Sequence, residues 1–328
     1  MKIQLYFFLF TMLSFLRAET FYVPGDFSSI QSAINAASNT DSVLVWPGLY
    51  DETLDFDGKE IVVSSLYFIA NDSLLIESTI LDANGNGSVV SFASGESNES
   101  ILQGFTIQNG SGNNEDPDGN GTYYNYGGGI YCENSDPIIK DCIIQNNICD
   151  GGGGGGIFCY NASPKFFGCI IKENETDDVG GGLYAKTASS PEFYNCSFMG
   201  NVAEFGAGCY LRSESSPIMD NVVFSVNSAN NSGGGIVLKD DANLNATNLY
   251  LFDNTAEGLG GGLYINNADS QIDYLLVGDN VSSSGGGIYV RNSSTVQINN
   301  ATIANNVAAT YGGGIYMRDG ADVSLNNS

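Results

Sequence analysis

Residues 127–147 read GGGIYCENSDPIIKDCIIQNN, and versions of this stretch recur along the rest of the chain. A glycine triplet or a close variant, usually followed by an aliphatic and an aromatic residue, begins at Gly127, Gly154, Gly180, Gly206, Gly233, Gly260, Gly285 and Gly312. Successive starts are 25 to 27 residues apart. A period of this length indicates a solenoid, in which one repeat cannot bury its own apolar face and must stack on its neighbours.

Each repeat alternates in the manner of a β-strand. When the first glycine is counted as position zero, positions three and five are apolar in every unit, and residues two apart share one face of a strand. A second inward set follows in each unit, for example Ile139, Cys142 and Ile144. No segment after residue 40 has the apolar period of a helix. The repeats therefore predict an all-β solenoid with roughly 26 residues per coil.

One asparagine recurs 20 or 21 residues after the start of each complete repeat. The series is Asn147, Asn174, Asn201, Asn227, Asn254, Asn280 and Asn306. Identical amides stacked on parallel strands can hydrogen-bond from coil to coil. We therefore expect an asparagine ladder.

The seven cysteines follow the same columns, with Cys142, Cys169 and Cys196 in one and Cys132 and Cys159 in another. Stacked neighbours could come within disulfide reach, but small buried thiols that fill a core column are the more economical interpretation. The pairing stays open at this point.

Composition excludes several classes of function. The 328 residues carry a net charge of −26 and contain no histidine. An acidic surface repels phosphate backbones, so we expect no nucleic-acid partner. Ser-His-Asp and Cys-His nucleophile systems, imidazole proton shuttles and histidine-rich zinc sites are impossible without histidine.

The amino terminus predicts export. Lys2 precedes a mostly apolar run that ends at Leu16-Arg17-Ala18, a pattern typical of a secretory signal peptide cleaved after Ala18. The run is shorter than the ~20 residues of a membrane span, and no later segment approaches that length. We expect a secreted or outer-cell-surface protein without a transmembrane span in this chain.

The repeats resemble the GGG-[IL]-[YF]…S-x-P…C-x-[IF]-x-x-N units of secreted right-handed parallel β-helix proteins. Residues 21–65 are similar to the amino-terminal cap and first coils of the pectin-lyase-like superfamily, and related repeats occur in polymorphic outer-membrane proteins. The resemblance implies a single-stranded right-handed parallel β-helix with a short amino-terminal capping helix. It selects no activity, because lyases, hydrolases, esterases, phage spikes and non-catalytic surface proteins share this scaffold.

The expected organisation has four parts. They are a signal peptide at 1–18, a cap with the first coils at 19–65, early coils with an inserted acidic loop (110–126) at 66–126, and eight glycine-triplet coils at 127–328, the last incomplete.

Apolar residues at helical spacing predict the capping helix within the second part. They are Ile30, Ala33, Ile34 and Ala37. Asp26 or Ser28 is the expected N-cap, and Asn39 the expected terminator.

The inserted loop contains one candidate metal site. Residues 116–121, DPDGNG, match the first half of an EF-hand loop, so Asp116, Asp118 and Asn120 are candidate calcium ligands. The glutamate expected at the twelfth place is absent, because Gly127 stands there. A solvated turn is the favoured interpretation of this stretch, a calcium site is the alternative, and no other cofactor is expected.

Two columns on the outer face of the first strand form what we call the outer strip. Position four is aromatic in seven of eight units and comprises Tyr131, Phe158, Tyr184, Tyr210, Val237, Tyr264, Tyr289 and Tyr316. Position six comprises Glu133, Tyr160, Lys186, Arg212, Lys239, Asn266, Arg291 and Arg318. This column holds five of the 11 basic residues of an acidic chain.

Cations beside rings suit the carboxylates and flat faces of an acidic polysaccharide. The predicted glycan-binding residues are Tyr184, Lys186, Tyr210, Arg212, Lys239, Tyr264, Tyr289, Arg291, Tyr316 and Arg318. Alternatively, the same rows stabilise the sheet through cation–π contacts and neutralise the acidic surface.

The sequence favours a non-catalytic role in adhesion or extracellular glycan binding, and it assigns no catalytic residue. The alternative is a calcium-dependent lyase resembling pectate lyases, in which aspartates hold the metal and an arginine removes a proton. The arginines beyond the leader are Arg212, Arg291 and Arg318, and their column neighbours are lysine or asparagine. Asp240-Asp241 is the best available acid pair, although a turn is the favoured interpretation of these two residues.

Overall fold

The structure, a computed structural model, describes residues 18–327. The predicted signal peptide lies outside this range except for Ala18. The described residues form a right-handed parallel β-helix of about ten coils, which confirms the predicted fold. Within this range, no helix is long and apolar enough to cross a membrane.

Ten strands, one from each coil, form a sheet that we call the cleft sheet. They are Leu54–Asp55, Val90–Phe92, Ile130–Glu133, Ile157–Tyr160, Leu183–Lys186, Cys209–Arg212, Ile236–Lys239, Leu263–Asn266, Ile288–Arg291 and Ile315–Met317.

Eighteen strands form the long sheet, which begins as two parallel stacks that merge at Ile218–Ser225. They are Thr20–Val23, Ser42–Val45, Gly48–Asp51, Val62–Ser65, Thr79–Asp82, Ile101–Gln103, Thr106–Gln108, Ile138–Lys140, Ile143–Gln145, Lys165–Phe167, Ile170–Lys172, Glu192–Tyr194, Ser197–Met199, Ile218–Ser225, Asn243–Phe252, Asp269–Gly278, Thr295–Ala304 and Asp322–Asn326.

Seven short strands form the narrow sheet, which precedes the glycine triplets. They are Ile148–Cys149, Glu175–Thr176, Val202–Phe205, Ser228–Ser232, Thr255–Ala256, Val281–Ser284 and Val307–Tyr311. A three-stranded sheet is formed by Asn113–Glu115, Tyr124–Tyr126 and Gly151–Gly153.

Equivalent residues of neighbouring repeats stack in register. Ile130 pairs with Ile157, and Ile157 pairs with Leu183, in parallel strands. The inward side chains of successive coils fill one continuous core, in which the rings of Phe166 and Phe193 stack with centroids 4.7 Å apart. Equivalent positions of successive repeats therefore form continuous rows along the solenoid, as the period predicts.

The glycine triplet performs two tasks at the turn into the cleft sheet. Gly154, the first of its triplet, has a φ of 70°, a left-handed conformation that glycine adopts without steric cost. Gly156, the third, leaves no room for a side chain, because a Cβ there would lie 2.6 Å from the carbonyl oxygen of Gly182 in the next coil. The triplet therefore permits both the turn and the close stacking of coils.

The asparagine ladder is present as predicted. Asn174 Nδ2 donates to Asn201 Oδ1 at 3.1 Å and to the carbonyl oxygen of Ile144 at 3.0 Å. The backbone N–H of Asn174 donates to the same Asn201 Oδ1 at 3.1 Å. The pattern repeats through the triplet coils, and every member from Asn147 to Asn280 is fully buried. Each such amide thus bonds backbone groups of the preceding coil and the asparagine of the following coil.

All seven cysteines are buried free thiols. Cys132 and Cys159 are register partners, and both side chains face the core. Burial raises the pKa of Cys142 and of Cys149 to about 12, which leaves these thiols protonated and unreactive at neutral pH.

The capping helix spans Ile30–Ala36, where the spacing predicts it, but its N-cap is Ser29 rather than Asp26 or Ser28. Ser29 Oγ accepts the N–H of Ser32, and the Glu52 carboxylate accepts the N–H groups of Ile30 and Gln31 at 2.8 and 3.0 Å. The helix ends at Ala36, before the expected terminator Asn39. Its N-terminus is therefore tied to the first coil.

Two further helices, Tyr67–Ala70 and Leu74–Ser78, differ from the expectation that no helix follows residue 40. They have four and five residues and no side-chain cap, so they are too short to produce a helical period in the sequence.

Candidate functional site

The aromatic column of the outer strip is buried rather than open. From Tyr131 to Tyr289, its position-four members are at most 7% exposed. They form a second apolar cluster, outside the coil core, with Val179, Phe205 and Leu259 packed against it. The expectation of a row of accessible ring faces therefore needs correction: these rings pack against residues that precede the glycine triplets.

A cleft of about 470 Å³ lies between the outer face of the cleft sheet and these preceding residues. It is lined by Asp178, Val179, Tyr184, Phe205, Tyr210, Arg212, Asn231, Ser232, Val237, Lys239, Leu259, Tyr264, Asn266 and Arg291. Six of the ten predicted glycan-binding residues are among them, namely Tyr184, Tyr210, Arg212, Lys239, Tyr264 and Arg291.

Register brings the cations of the cleft into one row. Arg212 pairs with Lys239, Lys239 with Asn266, and Asn266 with Arg291. Asp240 Oδ2 lies 3.6 Å from Arg212 Nη2 and 4.0 Å from Lys239 Nζ, so the two cations share one carboxylate.

Arg291 differs from its neighbours in having no carboxylate partner among the described residues. Its guanidinium carbon lies 6.0 Å from the ring centroid of Tyr264, and its Nε is buried without a hydrogen-bond acceptor. A buried donor without a partner costs free energy, and the guanidinium is not neutralised by a carboxylate of the described residues.

Lys186 does not line the cleft, because the inserted loop covers its side chain. Its side chain is only 8% exposed, and Nζ donates to Asp118 Oδ2 at 2.6 Å. The ammonium also lies 5.4 to 5.9 Å from the ring centroids of Tyr126, Tyr160 and Tyr184. For this residue, the alternative interpretation of stabilising cation–π contacts describes the observed contacts.

The last members of the strip also lie outside the cleft lining. Tyr289 is buried between Tyr264 and Tyr316, with ring centroids 5.6 and 5.3 Å away. Arg318 is half exposed and pairs with its neighbour Asp319 at 2.7 Å. These residues extend the stack and leave the cleft centred on Arg212, Lys239 and Arg291.

The oxygens of the candidate calcium loop already have partners. Asp116 accepts the N–H groups of Asn120 and Gly121 at 3.1 and 2.6 Å, and Asn120 Oδ1 accepts that of Thr122. Asp118 pairs with Lys186. Residues 18–327 contain no group of three or more acidic or cysteine side chains placed to hold a metal. The three predicted ligands fit a hydrogen-bonded turn rather than a calcium cage, and the geometry lends the calcium prediction no support.

The sequence analysis missed the second wall of the cleft. This wall consists of residues that directly precede a glycine triplet, namely Val179, Phe205, Ser232 and Leu259. Tyr126 holds the same position before the triplet at Gly127, and it belongs to the same apolar cluster. Reading the column before the triplet, as well as those after it, would have found this mostly apolar row.

Asp178 was also missed, and it is the half-buried carboxylate among the residues lining the cleft. Burial raises its pKa, and the nearby charges of Asp177 and Glu204 add to the rise, while Arg212 opposes it. The cleft thus contains a carboxyl group that holds its proton more tightly than an exposed aspartate does.

The tyrosine hydroxyls of the cleft are proton donors at neutral pH. Burial raises the pKa of Tyr210 to about 12 and raises that of Tyr184 further, although Arg212 opposes both shifts. Neutral phenols beside cations can donate hydrogen bonds to an anionic or hydroxyl-rich ligand.

Three solved structures show similarity at low identity. Pectin methylesterase from carrot is 12% identical, with 92% of this chain and 88% of that chain covered and a TM-score of 0.43. The endo-xylogalacturonan hydrolase from Aspergillus tubingensis is 15% identical, with 94% and 93% covered and a TM-score of 0.43. Pectate lyase Pel9A is 16% identical, with 94% and 78% covered and a TM-score of 0.43.

No curated protein matches the chain. The family described as the right handed beta helix region matches over residues 59–198 and 123–281, which together include every cleft-lining residue except Arg291. With its in-register parallel coils, the chain belongs to this right-handed β-helix family.

Proposed function

We propose that this protein binds acidic polysaccharide in the cleft, as a non-catalytic glycan-binding or adhesion protein that is secreted or displayed on the cell surface. The observation that carries the proposal is the row of Arg212, Lys239 and Arg291 in one cleft of a chain with a net charge of −26. Cations gathered in one place on an acidic protein select an anionic ligand over a neutral one.

The spacing of the cations suits a repeating anion. Neighbouring strands lie about 4.8 Å apart, so Arg212 and Arg291, three coils apart, are separated by roughly 14 Å along the sheet. A chain with a carboxylate on each sugar can reach both ends of that row. The guanidinium of Arg291 can donate two parallel hydrogen bonds to one carboxylate, which favours uronates over isolated hydroxyls.

A lyase acting on the same ligand is the second candidate, and Asp178 is the observation that favours it. A carboxyl group with a raised pKa in a cleft is a common property of proton-transfer groups. Against this, Asp240, the acid nearest the cations, is held between Arg212 and Lys239. Incubation with polygalacturonate and alginate, with and without calcium, tests for this activity through the ultraviolet absorbance of an unsaturated product.

Calorimetric titration with oligogalacturonate, and with a neutral oligosaccharide of equal length, tests the binding proposal. We expect binding of the acidic oligomer only, and Arg291→Gln should weaken it by about tenfold or more, because a charge-assisted pair is lost. Arg318→Gln is the matched control, since Arg318 lies outside the cleft lining and pairs with Asp319. Equal affinity for both oligomers, or an unchanged affinity in Arg291→Gln, would contradict the proposal.

A further inference from the structure

The inserted loop 110–126 crosses the outer face of the cleft sheet on the amino-terminal side of the cleft. Asn113 Nδ2 donates to Ser91 Oγ at 2.9 Å, and Asn113 Oδ1 accepts the N–H of Ser88 at 3.0 Å. Ser91 is the register partner of Tyr131, the first member of the aromatic column. The loop therefore begins directly over the early coils of the outer strip.

Two pairings fix the path of this loop. Asn113–Glu115 is antiparallel to Tyr124–Tyr126, and the second of these strands is parallel to Gly151–Gly153 of the next coil. The loop therefore contains a hairpin that is continuous with the solenoid, and residues 116–123 form the tip that joins its two strands.

The hairpin is held down on the strip at two further points. The ring of Tyr126 stacks on that of Phe158, with centroids 4.4 Å apart. At the tip, Asp118 pairs with the buried ammonium of Lys186 at 2.6 Å. Lifting the tip would separate Asp118 from the Lys186 ammonium and so break this ion pair. The outer strip is consequently covered from Tyr131 to Lys186.

The cleft begins where this cover ends. Its first residues are Asp178, Tyr184 and Arg212, and it continues to Arg291. Glycine triplets from Gly180 to Gly312 follow one another at intervals of 25 to 27 residues, so no comparable insertion occurs on the other side. The row of cations is thus walled at its amino-terminal end and has no such wall at its other end within the described residues.

We infer that the cleft receives the end of an acidic polysaccharide chain rather than a stretch from its interior, with the terminal sugar against the wall near Asp178 and Arg212. This inference rests on the proposed function. A polymer that continued past the cleft along the strip would have to occupy the volume of the hairpin. Neutralising Lys186 with Asp118 also removes the cation that would attract the next carboxylate along that path.

The number of protein molecules bound per polymer chain tests the inference. Sedimentation of the protein with polygalacturonate fractions whose mean lengths differ threefold gives this number at saturation. End recognition predicts the same number for both fractions, whereas interior binding predicts a number that rises with length. A rise with length in the unmodified protein would overturn the inference while leaving acidic glycan binding intact. If neither the fractions nor oligogalacturonate bind, the proposed function fails, and this inference with it.

An opened variant supplies the second measurement. Replacing residues 116–122 by two glycines, combined with Lys186→Met, removes the tip and the buried charge together and keeps both hairpin strands. This variant should bind more molecules on the longer fraction than on the shorter one. Thr122→Ala is the matched control, because Thr122 is exposed and it is its backbone N–H, which the substitution keeps, that donates to Asn120 Oδ1. A folded opened variant that still binds a number independent of length would show that the hairpin is not the wall.

Discussion

Lys186 and Arg291 occupy the same position in their coils, yet their surroundings make them different groups. Asp118 neutralises the Lys186 ammonium, and three rings surround it. Arg291 lies against one ring, its Nε lacks an acceptor, and it lines the cleft. At the scale of single residues, the distribution of carboxylates decides which cation of the column can receive a ligand.

Asp178 gives the site a pH dependence whose sign can be derived. Its folded pKa is raised, so its contribution to stability is fully present below the unfolded pKa of about 3.9 and is lost as pH rises through the folded value. At neutral pH the ionised group is therefore unfavourable in the folded protein. Asp178→Asn should raise the free energy of unfolding in urea at pH 7, and its advantage should shrink as the pH falls below about 4.

Glu257→Gln serves as the control for this measurement, because Glu257 is exposed and makes no ion pair in the described residues. Its free energy of unfolding should change by less than about 0.5 kcal/mol. A stability advantage of Asp178→Asn that stayed constant from pH 7 to strongly acid pH would contradict the assignment.

At the scale of elements, the asparagine ladder couples each coil to the next. Asn227 Oδ1 accepts from both the backbone and the side chain of Asn201, while its Nδ2 donates to the Phe198 carbonyl oxygen and to Asn254 Oδ1. Removing the amide leaves several buried groups without partners. We expect Asn227→Ala to lower the free energy of unfolding by about 3 kcal/mol, measured by urea denaturation.

Asn245→Ala is the matched control, since Asn245 is an exposed strand residue of the same type in the neighbouring coil. It should change the free energy of unfolding by no more than about 0.5 kcal/mol. If both substitutions changed the free energy of unfolding equally, the hydrogen bonds of the ladder would make no specific contribution to stability.

The elements show which structural features a sequence can predict. Columns such as Ile130, Ile157 and Leu183 are predictable, because parallel register converts the repeat period directly into contacts. The choice of Ser29 as the N-cap is harder to predict, since several neighbouring side chains could have capped the same helix. The pairing of Asp118 with Lys186 joins residues 68 apart through an irregular loop, and no periodicity specifies such a contact.

The candidate site was predictable to the same degree. Its cationic row follows from the repeat, because Arg212, Lys239 and Arg291 share one column. The depth of the cleft does not follow from the repeat. The burial of the rings depends on Val179, Phe205 and Leu259, which come from a different part of each coil. The sequence therefore predicts which face of the sheet carries the candidate site, and the structure shows that only part of this face forms the cleft.

At the scale of the whole molecule, the strands of the cleft sheet pair only between neighbouring coils, and the 110–126 hairpin, through Asp118 and Lys186, reaches further. Stability should therefore be close to a sum over coils and their interfaces. The in-register stack from Ile130 to Ile315 contains no partner more than one coil away in the cleft sheet. One complete coil can consequently be removed without creating an unpaired strand inside the solenoid. Half a coil cannot, because its removal would bring different sides of the coil over one another.

Deleting residues 206–232, one complete unit, should therefore yield a folded protein in which the coil starting at Gly180 stacks on that starting at Gly233. We expect a β-sheet circular dichroism spectrum and cooperative unfolding, but weakened binding of oligogalacturonate, because Arg212 and one step of the cleft are lost. Deleting residues 206–218 alone should abolish cooperative unfolding, since it sets the inward columns of one coil against the turns of the next. Comparable folding of the two deletions would mean that register between coils does not hold this structure together.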